Sequence, residues 1–324
     1  MIASLAQTQN FGFQDSGFAI RRFQAISRKY LFFHFLFIGL VVVELLFLAL
    51  FLHPLIAFHC IGIAVGSIFF TCLMYALLRL YFQEQKNEEF IQLKNAILER
   101  SSAIVDTAFG IADALKDIEK TFYNKTPLAQ SPLTQRLSAY LHWPDVYAVR
   151  ELFLLEALAA RLSCIRKSPT HAEAHAALAH TYKRLAAFYA DSVSLVQERY
   201  VLHSFLPSTR MLQTYEQKRK NAIQGALEEL KIVTEYAPQE LWARESLAAC
   251  YRDLGLYQEQ LCEYETLLQL KPDSPHILLE LGKLHFQQGC NGKGLKVYER
   301  LQGRDTVLAA ELIGYYGIHS TTPS

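Results

Sequence analysis

Residues 245–272 read ESLAACYRDLGLYQEQLCEYETLLQLKP. Leu247, Ala248, Tyr251 and Leu254 recur at helical spacing, Gly255 interrupts them, Tyr264 and Leu267 line a second run, and Pro272 stops it. The pattern is that of two short amphipathic helices joined by a tight turn. Each residue has a physical reason. The small Ala248 lets paired helices approach, Gly255 permits the turn, and proline lacks the amide a continuing helix needs.

The stretch repeats outward. Pro238 and Pro272 lie 34 residues apart, and a further step of 34 brings Leu281, Gly282, His285, Gly289, Gly294, Tyr298 and Leu301 into the same places. Ser274 before Pro275 is a sound helix start. Backwards the match is split: Leu178, Ala179, Tyr182 and Leu185 suit a first helix, and Ala226, Leu230, Val233 and Pro238 a second. Residues 187–222 between them are either a degenerate repeat or an insertion, with lengthened helices joined near Pro207 preferred. This period and residue pattern resemble the tetratricopeptide repeat, a helix–turn–helix unit of 34 residues. Gln260 departs from it, standing where the family usually has Ala. A stable stack needs about three units, so the apolar-striped Asp145–Lys167, after the break expected at Trp143-Pro144, is assigned to it as well.

The resemblance implies a groove lined by the first helices of successive units, able to hold a peptide or helix of a protein partner. The implied groove positions are Glu173, His180, Lys183 and Arg184, then Trp242, Glu245, Arg252 and Asp253, then His276, Lys283 and Phe286. Ala249 and Lys283 stand where the family's carboxylate clamp needs Asn, which argues against chaperone C-termini as ligand. Lys183, Arg184 and Arg252 either favour an acidic partner or only keep the stack soluble.

The other end of the chain has a different character. Residues 30–78 hold one charge, Glu44, and no Lys or Arg. Tyr30–Leu52 is long enough to cross a hydrocarbon core, His53-Pro54 breaks it, and a second apolar run follows to Phe82. Two spans with almost no loop predict a membrane hairpin with lipid as its partner. Arg21, Arg22, Arg28 and Lys29 precede it, Arg79 and Lys86 close it, and the turn has no cation, so both termini are expected in the cytoplasm. Gly62 and Gly66 put two small residues on one face, and a tight turn would set Glu44 level with Ile63 beside them. Glu44 is either a functional acid or a carboxyl hydrogen-bonded within or between hairpins.

Between the halves, Ile104, Ala108, Ile111, Leu115, Ile118 and Phe122 form a heptad stripe. It either dimerises or, preferably, packs on a neighbouring helix, so a homo-oligomer through the hairpin or residues 90–122 stays open. Asn124–Pro132 is the clearest linker. The expected order is an N-terminal tail (1–29), a transmembrane helical hairpin (30–82), an amphipathic helical connector (83–123), a linker (124–132), a tetratricopeptide-like α-solenoid (133–318) and a tail (319–324). The fold class is all-α.

The net charge of +1 argues against a nucleic-acid binder. None of the six cysteines forms a CxxC pair, which suggests buried thiols in a reducing compartment. There is no Gly-rich phosphate loop, nucleophile elbow or HExxH. His171 and His175 have metal-ligand spacing but no evident third ligand, and read as ordinary repeat-helix histidines. The sequence therefore predicts no catalysis, no cofactor and no metal. Its first reading is a membrane-anchored adaptor, in a bacterial inner membrane. The hairpin and the polar leader also resemble bacterial inclusion-membrane proteins, which would place the repeats on a host vacuole membrane. A third reading makes Glu44 and the Gly face part of an oligomeric transport component.

Overall fold

The computed structural model describes residues 2–51, 57–101, 103–116, 118, 132–200 and 208–317. The expected turn at His53-Pro54, the linker 124–131 and the tail 319–324 lie outside them. Every regular element among the described residues is a helix: α1 (Ile2–Phe51), α2 (Ala57–Leu98), α3 (Ile104–Ala114), α4 (Pro132–Lys167), α5 (Ala172–Tyr200), α6 (Ser208–Tyr236), α7 (Leu241–Leu254), α8 (Tyr257–Leu270), α9 (Pro275–Gln287), α10 (Asn291–Gln302) and α11 (Thr306–Ile313). The chain divides into two compact units, Met1–Ala157 and Leu158–Ser324.

In the first unit α1 and α2 pair along their length in one antiparallel register. Phe23 stacks on Phe90 with ring centroids 5.7 Å apart, Phe33 meets Phe82 at 4.6 Å, and Phe37 meets Tyr75 at 5.1 Å. The two ends of this pair differ. From Phe32 to Phe47 and from Val65 to Tyr81 large apolar side chains face outward, with Phe32 70% and Phe69 69% exposed. Both helices contain stretches long and apolar enough to cross a membrane by length and composition. Beyond Tyr30 the same helices bury Ala19, Phe23, Phe90, Leu93 and Ile97 in an ordinary core.

The expected connector (83–123) begins inside α2: the helix that carries the second apolar run continues without interruption to Leu98, the chain turns at residues 99–101, and α3 folds back on α1. The stripe residues Ala108, Ile111, Leu115 and Ile118 are buried within this unit, with Phe109 and Ala112, while Ile104 stays exposed. Phe122 lies outside the described residues.

The expected break at Trp143-Pro144 is absent: α4 runs through Pro144. Proline removes one helical amide, but the flanking Trp143, Val146 and Tyr147 are buried and hold the helix in place. Asp145–Ala157, which the sequence assigns to the repeat stack, falls in the first unit. Lys86 Nζ reaches Asp145 Oδ1 (2.6 Å), Lys94 Nζ reaches Glu156 Oε2 (2.5 Å), and Arg150 Nε donates to the Ala112 carbonyl (2.9 Å).

The second unit is a row of antiparallel helix pairs. α5 and α6 are long, so residues 187–200 and 208–222 lengthen two helices; the residues joining them, 201–207, lie outside the described ones. α7–α8 and α9–α10 follow, and α11 closes the row, capped by Asp305, whose side chain accepts from the amides of Val307 and Leu308 (3.0 Å each). Gly255 (φ +74°) and Gly289 (φ +72°) make the same turn. After each, the next amide reaches back to the carbonyl five residues earlier, Leu256 to Tyr251 (2.9 Å) and Cys290 to His285 (2.8 Å). The glycine amides bond Arg252 and Phe286 (3.0 Å each). The second unit is thus a tetratricopeptide-like α-solenoid, as its 34-residue period requires.

Candidate partner-binding groove

The implied groove residues sit on α5, α7 and α9. On α5, His180 and Lys183 are exposed and Arg184 half-buried. Lys183 Nζ donates to Ser246 Oγ on α7 (3.0 Å), which brings the first helices of neighbouring pairs together on one side. On α7, Trp242 is 45% exposed, Glu245 is exposed, and Arg252 is exposed with its Nε 3.4 Å from Asp253. Tyr264 of α8 stands in the field of Glu280, Arg252, Glu245 and Lys283, drawn from both α7 and α9; burial, then Glu280, raises its hydroxyl pKa above the usual value.

Two positions on α9 are not groove positions. Phe286 is 2% exposed and belongs to the core with Leu281, Val297 and Leu312. Its ring lies against Gly294, where a Cβ would collide with Cε1 and Cδ1, and meets Tyr316 edge-on. A helix register transferred by counting cannot see that the glycine at 294 opens a slot for the ring. Lys283 is not available either. It pairs with Glu280 (3.1 Å) and Glu311 (2.8 Å) and lies over the Tyr315 ring. Burial alone lowers its pKa, but its bonds to Glu311 and Glu280 outweigh that and raise it. Of the implied groove positions, those on α5 and α7 are therefore the open ones, and those at the end of α9 are covered by the chain's own α11 and the turn after it.

The charges on α5 gather in one place. Burial and the cations Arg184, Lys183 and Arg161 all hold the His180 imidazole below its ordinary pKa. Arg161 comes from the end of α4, and sequence reading missed it because it precedes the first recognisable repeat. His175 points elsewhere. Its Nδ1 bonds Glu229 Oε2 (2.5 Å) and its Nε2 the Pro169 carbonyl (2.8 Å), bracing the α4–α5 turn against α6. Among the described residues no three His, Cys, Asp or Glu side chains come together to hold a metal.

In the hairpin, Glu44 Oε1 accepts from Thr71 (2.7 Å) and Ser67 (3.2 Å). It is level with these residues, one to two turns from Ile63, because the two hydroxyls are the donors an acid needs in apolar surroundings. Gly62 and Gly66 are exposed, with nothing within 4 Å of where a Cβ would stand, so they do not form the α1–α2 contact.

The first unit also gathers Ser27, His142 and Asp145, with no signal in the sequence because Ser27 lies over 100 residues from the other two. Ser27 Oγ donates to Asp145 Oδ2 (2.9 Å) and lies 2.9 Å from His142 Nδ1. The hydroxyl proton is committed to the carboxylate, so Nδ1–H donates to Ser27. Burial drives the imidazole pKa down to about 4, which keeps it neutral. All three residues are buried, and the set clasps α1 to α4.

No family model matches the chain, and no curated protein matches it. Solved structures similar to it include TTC0263, a thermophilic TPR protein in Thermus thermophilus, at 16% identity over 71% of this chain and 98% of that one, with a TM-score of 0.32. YrrB, a TPR protein with an unusual peptide-binding site, is 17% identical over 62% and 97%, with a TM-score of 0.27. The TPR2AB domain of yeast Sti1 in complex with pHSP90 is 13% identical over 75% and 95%, with a TM-score of 0.28.

Proposed function

We propose that this chain is a membrane-anchored, non-catalytic adaptor: the α1–α2 hairpin holds it in a bilayer, and the α5–α7 groove holds a segment of a protein partner. The observation that carries this reading is the contrast within one chain between an outward apolar band and a solvated helical-repeat row. The band, with Leu80 68% exposed as well as Phe32 and Phe69, has the surface of a lipid-facing element. The repeat row presents Trp242 beside mixed charge, as a protein-binding groove does. Cations at both hairpin ends favour a cytoplasmic side for both termini. Anchoring raises the local concentration of the partner, so a groove of modest affinity suffices.

The test is cross-linking with mass spectrometry on the full chain in its native membrane. The adaptor reading expects one partner cross-linked through α5 and α7, and its loss with Trp242→Ala plus Arg252→Glu. Cross-links only between copies, running through residues 30–82, would sink it and favour the oligomeric transport reading. Export of a reporter carrying residues 1–20 out of bacterial cells would move the same adaptor to a host vacuole membrane.

A further inference from the structure

Of the cations flanking the α1–α2 hairpin, all but Arg79 are engaged by the chain itself. Lys29 Nζ donates to Glu89 Oε1 (2.5 Å) and Lys86 Nζ to Asp145 Oδ1 (2.6 Å). Arg21 Nε donates to the Gly17 carbonyl (3.2 Å), and the Arg22 guanidinium lies 5.7 Å from the centroid of the Phe18 ring. Arg28 is engaged as well. Arg79 is exposed, and among the described residues it has no hydrogen-bond, ion-pair or ring partner.

Its place makes that unusual. Leu77, Leu80 and Tyr81, beside it in the chain, are 55%, 68% and 58% exposed, so Arg79 stands within the outward apolar band, near its end. No acid of the hairpin neutralises it. Residues 16–43 of α1 and 57–83 of α2 contain no Asp or Glu. Glu84 is five residues on, outside the i+3 and i+4 places whose side chains meet on a helix. Glu44 is held by Thr71, about 12 Å further along α2, and Asp145 by Lys86, about 10 Å the other way. A guanidinium does not shed its proton, so this one carries its charge against apolar surface and needs an anion from outside the chain.

We propose that Arg79 holds the phosphate of an anionic phospholipid at the end of the apolar band. This rests on the membrane-anchored reading and adds the chemistry of the lipid. Both parts of the surroundings define the ligand. Acyl chains cover Leu77 and Leu80. The arginine stem lies along that surface, and its planar fork takes two oxygens of the phosphate. A zwitterionic lipid fits less well, because its own ammonium already neutralises the phosphate and the Arg79 charge stays uncompensated. The engaged cations still bias orientation, and among them only Arg79 is open to a headgroup.

The experiment uses the full chain purified in maltoside micelles. One of three lipids is added at equal concentration: dioleoylphosphatidylglycerol, dioleoylphosphatidylcholine, or digalactosyldiacylglycerol, which carries no phosphate. Native mass spectrometry counts the lipids that stay on the chain as the micelle is stripped away. Phosphatidylglycerol is retained roughly three- to tenfold better than the other two, the effect of one charge-assisted contact. Arg79→Gln brings it down to the level of the galactolipid. Arg79→Lys keeps part of the preference, since it restores the charge without the fork. Arg79 is exposed and unpartnered, so neither variant removes a contact of the fold. Arg22→Gln, about 15 Å of helix before Phe32, leaves the preference unchanged. Equal retention of phosphatidylglycerol and phosphatidylcholine, or a preference that Arg79→Gln does not move, overturns the site and leaves the anchor standing. A chain that is monodisperse in buffer without detergent and retains none of the three lipids removes the anchor, and the site with it.

Discussion

The pairs α7–α8 and α9–α10 are the same backbone device with different interiors. Both turn at a left-handed glycine, Gly255 and Gly289, and both close with the same pair of reaching amides. Their side chains diverge. Arg252 is in solvent where Phe286 is in the core; Gln260 fills the place of Gly294; half-buried Tyr251 stands where His285 is buried. The 34-residue period sets the backbone and the turn. The slot beside the second helix decides whether the last turn of the first helix faces solvent or the core. Gly294 leaves that slot open and Phe286 enters it; Gln260 fills it, and Arg252 stays outside.

The largest effect that tests this contrast is truncation. Phe286→Ala should cost about 3–5 kcal/mol of stability, while Arg252→Ala should stay within about 0.5 kcal/mol and act on partner capture instead. Urea unfolding in mild detergent, followed by hydrogen exchange of the α9–α10 amides, measures both; equal costs would dissolve the distinction. Next, Gly294→Ala forces a methyl into the Phe286 ring and should cost about 1–3 kcal/mol. A neutral result would mean that the slot is not what seats the ring. The shared turn should respond equally in both pairs: Gly255→Ala and Gly289→Ala each place Cβ in a left-handed residue, for about 1–2 kcal/mol. Unequal costs would break the claim that the backbones are alike. Gln260→Met should gain about 1 kcal/mol, since the buried Gln260 Oε1 has no hydrogen-bond partner and the thioether fills similar space. A loss would mean the amide is held by something beyond its carbonyl.

The smallest effect is one of pH. Burial lowers the His175 pKa, but its bonds to Pro169 and Glu229 outweigh this and raise it above the ordinary 6.5. A raised folded value means the charged brace stabilises fully below the unfolded pKa and fades as pH rises through the folded one. Protection factors at the α5–α6 amides, which are corrected for the intrinsic pH dependence of exchange, should therefore be larger at pH 6 than at pH 8, and His175→Ala should flatten that dependence. An unchanged slope in the variant would discard the brace.

Much of this architecture was legible in the sequence, for local reasons. Gly255, Gly289, Pro238 and Pro272 act through the backbone, so their spacing alone places turns and stops. The apolar run from Tyr30 is legible because no charge interrupts it but Glu44. Packing against distant chain was not legible. The path of α4 through Pro144 depends on burial of Trp143 and Tyr147, and its first half belongs with α1 to α3 through partners such as Ser27 and Lys86 far away in sequence. Counting by 34 placed Lys183 and Arg252 at the surface but sent Phe286 to the wrong side. It passed over Arg161, which lies before the first repeat it could detect.

The unbroken course of α2 has a mechanical side. Its 42 residues make a rod of about 63 Å, one end among apolar exposed side chains and the other gripped at Phe90, Leu93 and Ile97. A helix with no joint is stiff to twisting. Rolling its exposed apolar end by a few degrees turns the gripped end by the same angle, so the outward apolar band and the core around Phe90 share one torsional axis.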